Sequence, residues 1–171
     1  MAALEPVGAA VTSYRQAIDD FPAGMPAAAT ARTLPVGERG LLVPTLWARL
    51  GDAPGRWQSF RHLQAQAGTV PVTKRSGKQR AVRFRYACDK TLRYVLDRVA
   101  FRSLQSSDWA RAYYDQQRAR GHGHRQALRA LGAKWLKIIF VMWRDGVAYS
   151  EEHHLASIAR QQLRCAARTI A

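Results

Sequence analysis

Acidic residues are scarce in this sequence. Asp and Glu together number 12 against 27 Lys and Arg, so the formal net charge is +15. An excess of this size repels itself unless a polyanion neutralises it, and the common polyanions are nucleic acids and membrane surfaces. Binding to one of these is therefore the first functional expectation.

Cysteine and long apolar runs are scarce as well. Cys88 and Cys165 are the two cysteines, which are too few for a disulfide framework and indicate a reducing cytoplasm. The longest apolar run, Ile138–Trp143, is far shorter than the roughly 20 residues of a membrane-spanning helix. The first ten residues lack a cationic region followed by an apolar stretch, so we expect no signal peptide and no membrane partner.

The hydrophobic content, 47% of 171 residues, suits one compact domain with a real core. Residues 1–33 are predicted to be an N-terminal arm, in which Ser13–Phe21 forms the end of a helix and an Ala/Pro-rich linker follows. Residues 34–150 are predicted to form the main domain, and residues 151–171 a C-terminal helix or tail.

A helix–glycine turn–helix segment opens the main domain. Leu42, Leu46 and Leu50 have helical spacing, Gly51–Gly55 ends that helix, and a second short helix is predicted over Ser59–Ala67. Exposed amides at the start of a helix attract anions, so the segment could hold a phosphate backbone. Two packed helices joined by a loop are the plainer interpretation.

Further helices are predicted after residue 88. Each has an identifiable start or end: Asp89 as a cap, Ser107 or Asp108 as a start, Gly121 and Gly146 as ends, and Ser150 before two acids. Apolar residues then recur at helical spacing along two of these helices, namely Leu92, Val95, Leu96 and Val99, and Leu128, Leu131, Trp135, Ile138, Ile139 and Met142.

The single convincing β segment is Thr69–Ala87. Apolar and polar residues alternate in it, and Lys74–Lys78 is predicted as the tip of a hairpin in which Gly77 supplies the unusual φ angle. The predicted fold class is therefore mainly α: a helical domain with a helix–glycine turn–helix segment and one basic β-hairpin.

Positive charge is concentrated in and after the hairpin. Residues 74–98 contain nine cations against only Asp89 and Asp97, a local excess of seven. Guanidinium groups on a rigid ribbon suit bidentate contact with phosphates, and strand alternation would place Arg83 and Arg85 on one face. A solvated charged face is the alternative. The candidate nucleic-acid-binding residues are Lys74, Arg75, Lys78, Arg80, Arg83, Arg85, Lys90 and Arg93.

Two other clusters have chemically capable residue types. His122 and His124 follow Tyr113 and Tyr114, but the glycine between the histidines favours a turn or capping role over a nickase site. Glu151–His154 is interpreted as the charged first turn of a helix, because adjacent helical residues point to different faces. No metal site is predicted.

Several segments, in order and spacing, resemble a known family. They are Ala67–Lys78, Arg85–Lys90, Ala110–Tyr114 and Trp143–Gly146. They are similar to the C-terminal domain of insertion-sequence transposases of the bridge-RNA-guided, DEDD-plus-serine class (the IS-one-ten group). The resemblance spans about residues 34–150, so it implies that this range is the transposase C-terminal domain.

The resemblance implies DNA transposition by strand exchange through a phosphoserine link. By its place in the Ser-Gly-Lys motif, Ser76 would be the catalytic nucleophile, although by itself Ser-Gly is an ordinary turn. DNA is the implied partner, and a structured guide RNA, a second copy of the chain or a full-length transposase are further candidates. The implied location is the bacterial cytoplasm, associated with the nucleoid.

Two departures from the family pattern accompany the resemblance. In the family, an N-terminal RuvC-like domain holds Mg²⁺, and the early acids Glu5, Asp19 and Asp20 are not a metal-binding scaffold of that kind. We therefore expect no cofactor in this chain itself. The chain resembles a truncated or split transposase. The family's Pro-Gly-x-Gly turn is also altered, to Leu34–Gly40. A catalytically inert nucleic-acid-binding remnant or regulator is therefore the alternative to a domain that acts with a RuvC-like partner.

Overall fold

The structure, a computed structural model, describes residues 4–20, 30–36, 40–51, 53–77 and 79–170. Within these ranges it contains the seven α-helices named below, a short 3-10 helix at Pro54–Arg56 and one two-stranded sheet, which confirms the mainly α fold class. In chain order the α-helices and strands are α1 (Leu4–Asp20), α2 (Leu42–Leu50), α3 (Phe60–Ala67), β1 (Val72–Ser76), β2 (Gln79–Arg83), α4 (Lys90–Ser106), α5 (Asp108–Ala119), α6 (His124–Asp145) and α7 (Glu151–Ile170).

The centre of the fold is the packing of α4 against α6. All four predicted apolar residues of α4 are buried, and so are those of α6 except Ile138, which is partly buried. A Cβ built on Gly132 of α6 would lie 3.5 Å from the Leu96 carbonyl oxygen, so the two helices approach closely there. Inside the core, the Trp135 indole donates to Ser103 Oγ at 2.8 Å, which satisfies a polar group that burial would otherwise penalise.

The predicted helix boundaries are confirmed by their caps. The Asp89 carboxylate accepts from the Leu92 amide at 2.9 Å, and Ser150 Oγ accepts from the His153 amide at 3.2 Å. Gly146 ends α6 in the left-handed conformation, with φ 64°. The two side-chain acceptors pair with backbone amides that the start of a helix leaves unpaired. Gly146 adopts the left-handed conformation that commonly ends a helix.

The helix–glycine turn–helix segment packs onto the core as the plainer interpretation expects. Leu46, Leu50 and Leu63 are completely buried. The Trp143 indole of α6 donates to the Gly51 carbonyl at 2.7 Å, which ties the end of α2 to α6. Phosphate binding by this segment stays a hypothesis.

The N-terminal helix includes residues upstream of the turns that the sequence predicts. Its last turns are predicted at Ser13–Phe21, and α1 runs from Leu4 to Asp20; its residues Val7, Val11 and Tyr14 are exposed. Phe21 and most of the predicted Ala/Pro-rich linker lie outside the described residues. The division into arm, main domain and tail stays a prediction.

The hairpin tip is shorter than predicted. The antiparallel ladder continues to the pair Ser76↔Gln79, so only Gly77 and Lys78 connect the strands, and Gly77 has φ 54°. Two-residue connections favour positive φ because it matches the twist of the flanking strands. Lys74, Arg75 and Ser76 therefore belong to β1 rather than to the tip, and Lys78 lies outside the described residues.

Candidate nucleic-acid interface

The hairpin presents charge on both of its faces. Residues directly opposite each other share a face, and successive residues alternate. Arg75 pairs with Arg80, whereas Arg83 pairs with Val72 and lies on the other face, which also contains Ser76. Arg75, Ser76 and Arg83 are all exposed. A nucleic acid could therefore contact cations from either side of this ribbon.

The predicted alternation of Arg83 and Arg85 does not extend to Arg85. The strand β2 ends at Arg83, and Arg85 is half-buried, with its Nε donating to the Val70 carbonyl at 3.3 Å. This bond holds the chain leaving β2 against the chain entering β1. The side chain of Arg85 therefore stabilises the base of the hairpin, beyond the point at Arg83 where the backbone hydrogen bonds between the strands end.

Arg93 is a half-buried cation at the base of the hairpin. Its guanidinium donates to the Arg85 carbonyl and to Cys88 Sγ, and the guanidinium carbon lies 4.4 Å from the centre of the Phe84 ring. Arg93 Nε is buried without a hydrogen-bond partner among the described residues. No carboxylate in the described part of the chain pairs with it. A sheltered cation without an anion is costly, so an anion bound at this site would be stabilised.

A groove of about 260 Å³ lies beside Arg93, between α4, α6 and the chain that leaves the hairpin. Its charged lining residues are four cations and one acid, namely Lys90, Arg93, Arg125, Arg129 and Asp97. Arg129 also lies over the Phe84 ring, at 5.1 Å from its centre. The groove extends the positive surface of the hairpin onto the helical body.

Sequence reasoning missed Arg125 and Arg129, because they lie far along the chain from residues 74–98. The α4–α6 packing brings them to the same groove as Lys90 and Arg93. A signal was present, since Arg125 and Arg129 are one helical turn apart and flank the buried Leu128. This spacing points to the groove only when it is known that α6 packs against α4.

Ser76 is exposed at the end of β1, beside the glycine of the turn. Its hydroxyl has no hydrogen-bond partner among the described residues, and none of the histidines or acids described there contacts it. A serine nucleophile needs a base or an electrophile to activate it. The described residues of this chain therefore offer accessibility and nearby positive charge, and no base.

The two histidines of the turn before α6 have separate partners. His122 Nδ1 lies 2.9 Å from Gln117 Oε1, and His124 Nδ1 lies 2.7 Å from the Tyr114 hydroxyl. Tyr113 is half-buried beneath Lys134, and burial raises the pKa of its hydroxyl. These contacts support the structural role that the sequence favoured, because each ring is engaged in joining α5 to the start of α6.

The first turn of α7 is equally structural. His154 packs on Trp109, with ring centres 4.5 Å apart, and burial lowers the pKa of its imidazole, assisted by the positive charge of Lys134. Ser107 Oγ donates to Glu151 Oε1 at 3.0 Å. Among the residues that the structure describes, no group of three or more His, Cys, Asp or Glu could hold a metal ion. The described residues therefore do not fit a Mg²⁺ site, and the family resemblance implies Mg²⁺ only through the RuvC-like domain.

Ion pairing leaves most of the positive charge uncompensated. The three ion pairs within the described ranges are Arg49–Asp89 at 3.6 Å, Arg111–Asp115 at 3.2 Å and Arg144–Asp145 at 2.6 Å. Neither the exposed hairpin arginines nor the cations of the groove take part. Across the described segments, no helix is long and apolar enough to cross a lipid bilayer.

Comparison with known proteins identifies this region. The model of the transposase IS116/IS110/IS902 family matches residues 36–115, which include α2, α3, the hairpin, α4 and most of α5. Residues 36–115 are therefore similar to the transposase IS116/IS110/IS902 family. The match covers Ser76 and the cations of residues 74–98 and stops before α6.

The curated proteins to which this chain is similar are proteins of insertion elements. It is 34% identical over 107 residues to the 43.6 kDa protein of insertion element IS110 from Streptomyces coelicolor, a match covering 61% of this chain and 26% of that protein. A protein of the IS117 mini-circle of the same organism is 33% identical over 96 residues, covering 56% and 23%. The 42 kDa protein of IS900 from Mycobacterium paratuberculosis is 30% identical over 107 residues, covering 60% and 26%. The chain thus matches about a quarter of the length of each relative.

Proposed function

We propose that this chain is the DNA-binding domain of an insertion-sequence transposase and acts in DNA transposition. It binds the phosphate backbone through the hairpin and the adjacent end of α4. The observation that carries the proposal is the half-buried Arg93 guanidinium, which lacks a carboxylate partner among the described residues and lies between exposed cations of the hairpin and of the groove. Phosphates would supply the missing anions.

Backbone binding fits a protein whose sequence choice is delegated to a nucleic acid. Contacts with phosphates position a protein on DNA without reading its sequence, whereas base pairing with a guide RNA can supply that reading. The guide RNA is part of the proposal and follows from the family resemblance. The concentration of arginine on both hairpin faces suits such a division of labour.

Charge reversal on the hairpin tests the binding proposal. In fluorescence anisotropy with duplex DNA, Arg75→Glu/Arg83→Glu should weaken binding of all sequences alike. Each lost charge-assisted contact is worth about 1.5 kcal/mol, or about tenfold in affinity. The matched control, Arg15→Glu/Arg160→Glu, makes the same charge change at exposed positions on α1 and α7 and should bind much more tightly than the hairpin variant. Equal weakening in both variants would contradict a hairpin interface.

We further propose that Ser76 is the nucleophile when a RuvC-like partner domain supplies the acids and the Mg²⁺. Attack by Ser76 Oγ on a phosphodiester would form a serine–phosphate bond and release the sugar hydroxyl, with the serine proton passing to a base. Exposure of Ser76 and the family match around it support this shared arrangement. Arg75, the neighbour of Ser76 in β1, is exposed and can add positive charge near the phosphate under attack.

The covalent intermediate provides the test. With a RuvC-like partner domain and guide RNA added, labelled DNA should become attached to the chain and resist denaturing electrophoresis. Ser76→Ala should remove the adduct and leave the affinity for duplex DNA nearly unchanged, and Ser106→Ala, at another exposed serine, should retain the adduct. An adduct that persists in Ser76→Ala would place the nucleophile elsewhere, first at Tyr113 or Tyr114.

A purely binding role, in a remnant or regulator, is the second candidate. The observation that favours it is the isolation of the Ser76 hydroxyl from every described histidine and acid. The same experiment separates the two functions, because a regulator would bind DNA in the presence of the partner domain and form no adduct.

A further inference from the structure

The groove beside Arg93 has features that a duplex backbone does not use. On α4, Lys90, Tyr94 and Asp97 are three or four residues apart, so they lie on one face of the helix. On α6, Arg125 and Arg129 have the same spacing and line the opposite wall. The close approach of the helices at Gly132 limits its depth.

Asp97 is the one acid among the lining residues, and its carboxylate is unpaired. Arg93 lies four residues before it, a spacing at which an ion pair can form, yet the Arg93 guanidinium is turned to the Arg85 carbonyl and Cys88. Asp97 has no hydrogen bond or ion pair with any residue that the structure describes. An acceptor-only group therefore faces the groove among four cations.

Tyr94 is the free aromatic ring of the groove. The guanidiniums of Arg93 and Arg129 lie over the half-buried Phe84 ring, at 4.4 Å and 5.1 Å from its centre, so this ring already has cation–π partners. Tyr94 is 62% exposed. An exposed ring beside cations is the combination that binds unpaired bases, since the ring stacks on the base and the cations hold the flanking phosphates.

We infer that the groove binds one unpaired nucleotide of a nucleic acid, with guanine as the preferred base. The base stacks on Tyr94, the flanking phosphates contact Lys90 and Arg125, and Asp97 accepts hydrogen bonds from the Watson–Crick edge. Guanine presents two adjacent donors there, which match the two oxygens of a carboxylate, whereas thymine and uracil present one donor between two acceptors. The volume of about 260 Å³ suits a single nucleotide rather than a helix.

This inference rests on the proposed nucleic-acid binding and adds a second mode to it. A base inside a duplex is stacked and paired, so its edge and faces cannot reach Tyr94 and Asp97 together. A bulged or single-stranded nucleotide of DNA or of RNA can reach both. The shared chemistry is an unpaired guanosine nucleotide, and either nucleic acid could supply it.

Labelled duplexes with and without a bulge test the inference on the full chain. The DNA probes are a fully paired duplex, the same duplex with one extra guanine and the same duplex with one extra thymine. The RNA probes are a paired duplex, one with an extra guanine and one with an extra uracil. We expect the guanine bulge to bind roughly fivefold or more tightly than the paired duplex, given the energy of stacking one base on an aromatic ring. A gain in DNA, in RNA or in both identifies the source of the nucleotide.

The variants locate the gain. Tyr94→Ala should abolish the affinity gained from the bulge and leave paired-duplex affinity unchanged. Asp97→Asn should remove the preference for guanine over thymine or uracil. Tyr14→Ala changes an exposed tyrosine outside the groove and should keep both the gain and the preference. Equal binding of bulged and paired duplexes by the unaltered chain, or a gain that survives in Tyr94→Ala, would overturn the inference while leaving the proposed duplex binding in place. Loss of paired-duplex binding itself would instead overturn the proposed function.

Discussion

The guanidinium carbon of Arg93 lies 4.4 Å from the centre of the Phe84 ring, and the same guanidinium donates to the Arg85 carbonyl. One side chain of α4 thereby fixes the chain that leaves the hairpin. The orientation of the basic ribbon relative to the helical core depends on this contact, because the ladder itself ends at Arg83.

Removing the Phe84 ring should loosen that attachment. Phe84→Ala deletes a half-buried ring and two cation–π contacts, so we expect the free energy of unfolding in urea to fall by about 2 kcal/mol. Val82→Ala, at an exposed apolar position in β2, is the control and should change it by less than about 0.5 kcal/mol. Equal stability of the two variants would show that the Phe84–Arg93 contact does not anchor the hairpin.

Trp135 is one of the apolar residues that the sequence predicts on the inner face of α6. It is completely buried and its indole donates to Ser103 Oγ. Trp135→Asp should therefore unfold the chain, since an unpaired charge at such a site costs several kcal/mol. Circular dichroism and thermal melting measure the outcome, with Tyr14→Asp at an exposed position as the control. A native-like melting curve for Trp135→Asp would contradict the core described for α6.

Much of this fold follows from local sequence patterns. Asp89, Ser150 and Gly146 are predictable caps because their short acceptors, or a missing Cβ, act within one helical turn. The hairpin also follows from alternation, but the predicted tip, Lys74–Lys78, is too long because alternation does not reveal where the hydrogen bonds between the strands end. Arg125 and Arg129 join the candidate site only through long-range packing, which local patterns do not encode.

Burial of His154 predicts a pH-dependent stability. Burial, followed by the charge of Lys134, lowers the pKa of His154 from its ordinary value of 6.5 in the unfolded chain. The unfolded chain therefore binds more protons, and stability rises with pH across the interval between the lowered pKa and 6.5. The stabilisation of the neutral ring is complete above this interval and is lost as the pH falls through 6.5 towards the lowered pKa.

Urea denaturation at several pH values measures this dependence. His154→Gln should lose part of the decline of stability towards acidic pH, whereas His62→Gln, at an exposed position on α3, should retain it. An identical pH profile for the His154→Gln variant and the unaltered chain would mean that Trp109 does not desolvate the imidazole.

Strand cleavage should require more than the residues described here. Ser76 has positive charge nearby but no base, and the described residues contain no metal-binding group. The purified chain should therefore bind DNA and leave it uncut at any Mg²⁺ concentration, as judged by denaturing electrophoresis of labelled DNA. Cleavage that depends on Mg²⁺ would reveal a metal site elsewhere, and Glu151–His154 would be the first residues to substitute.

The salt dependence of duplex binding tests the central claim most directly. If five or six cations of the hairpin and the adjacent end of α4 contact phosphates, the logarithm of the association constant should fall with the logarithm of the salt concentration at a slope of about −5. Arg75→Glu/Arg83→Glu should reduce the slope to about −3, because two phosphate contacts are lost. A steep slope that is unchanged in this variant would place the interface on another surface, and a slope near zero would contradict nucleic-acid binding through the phosphate backbone.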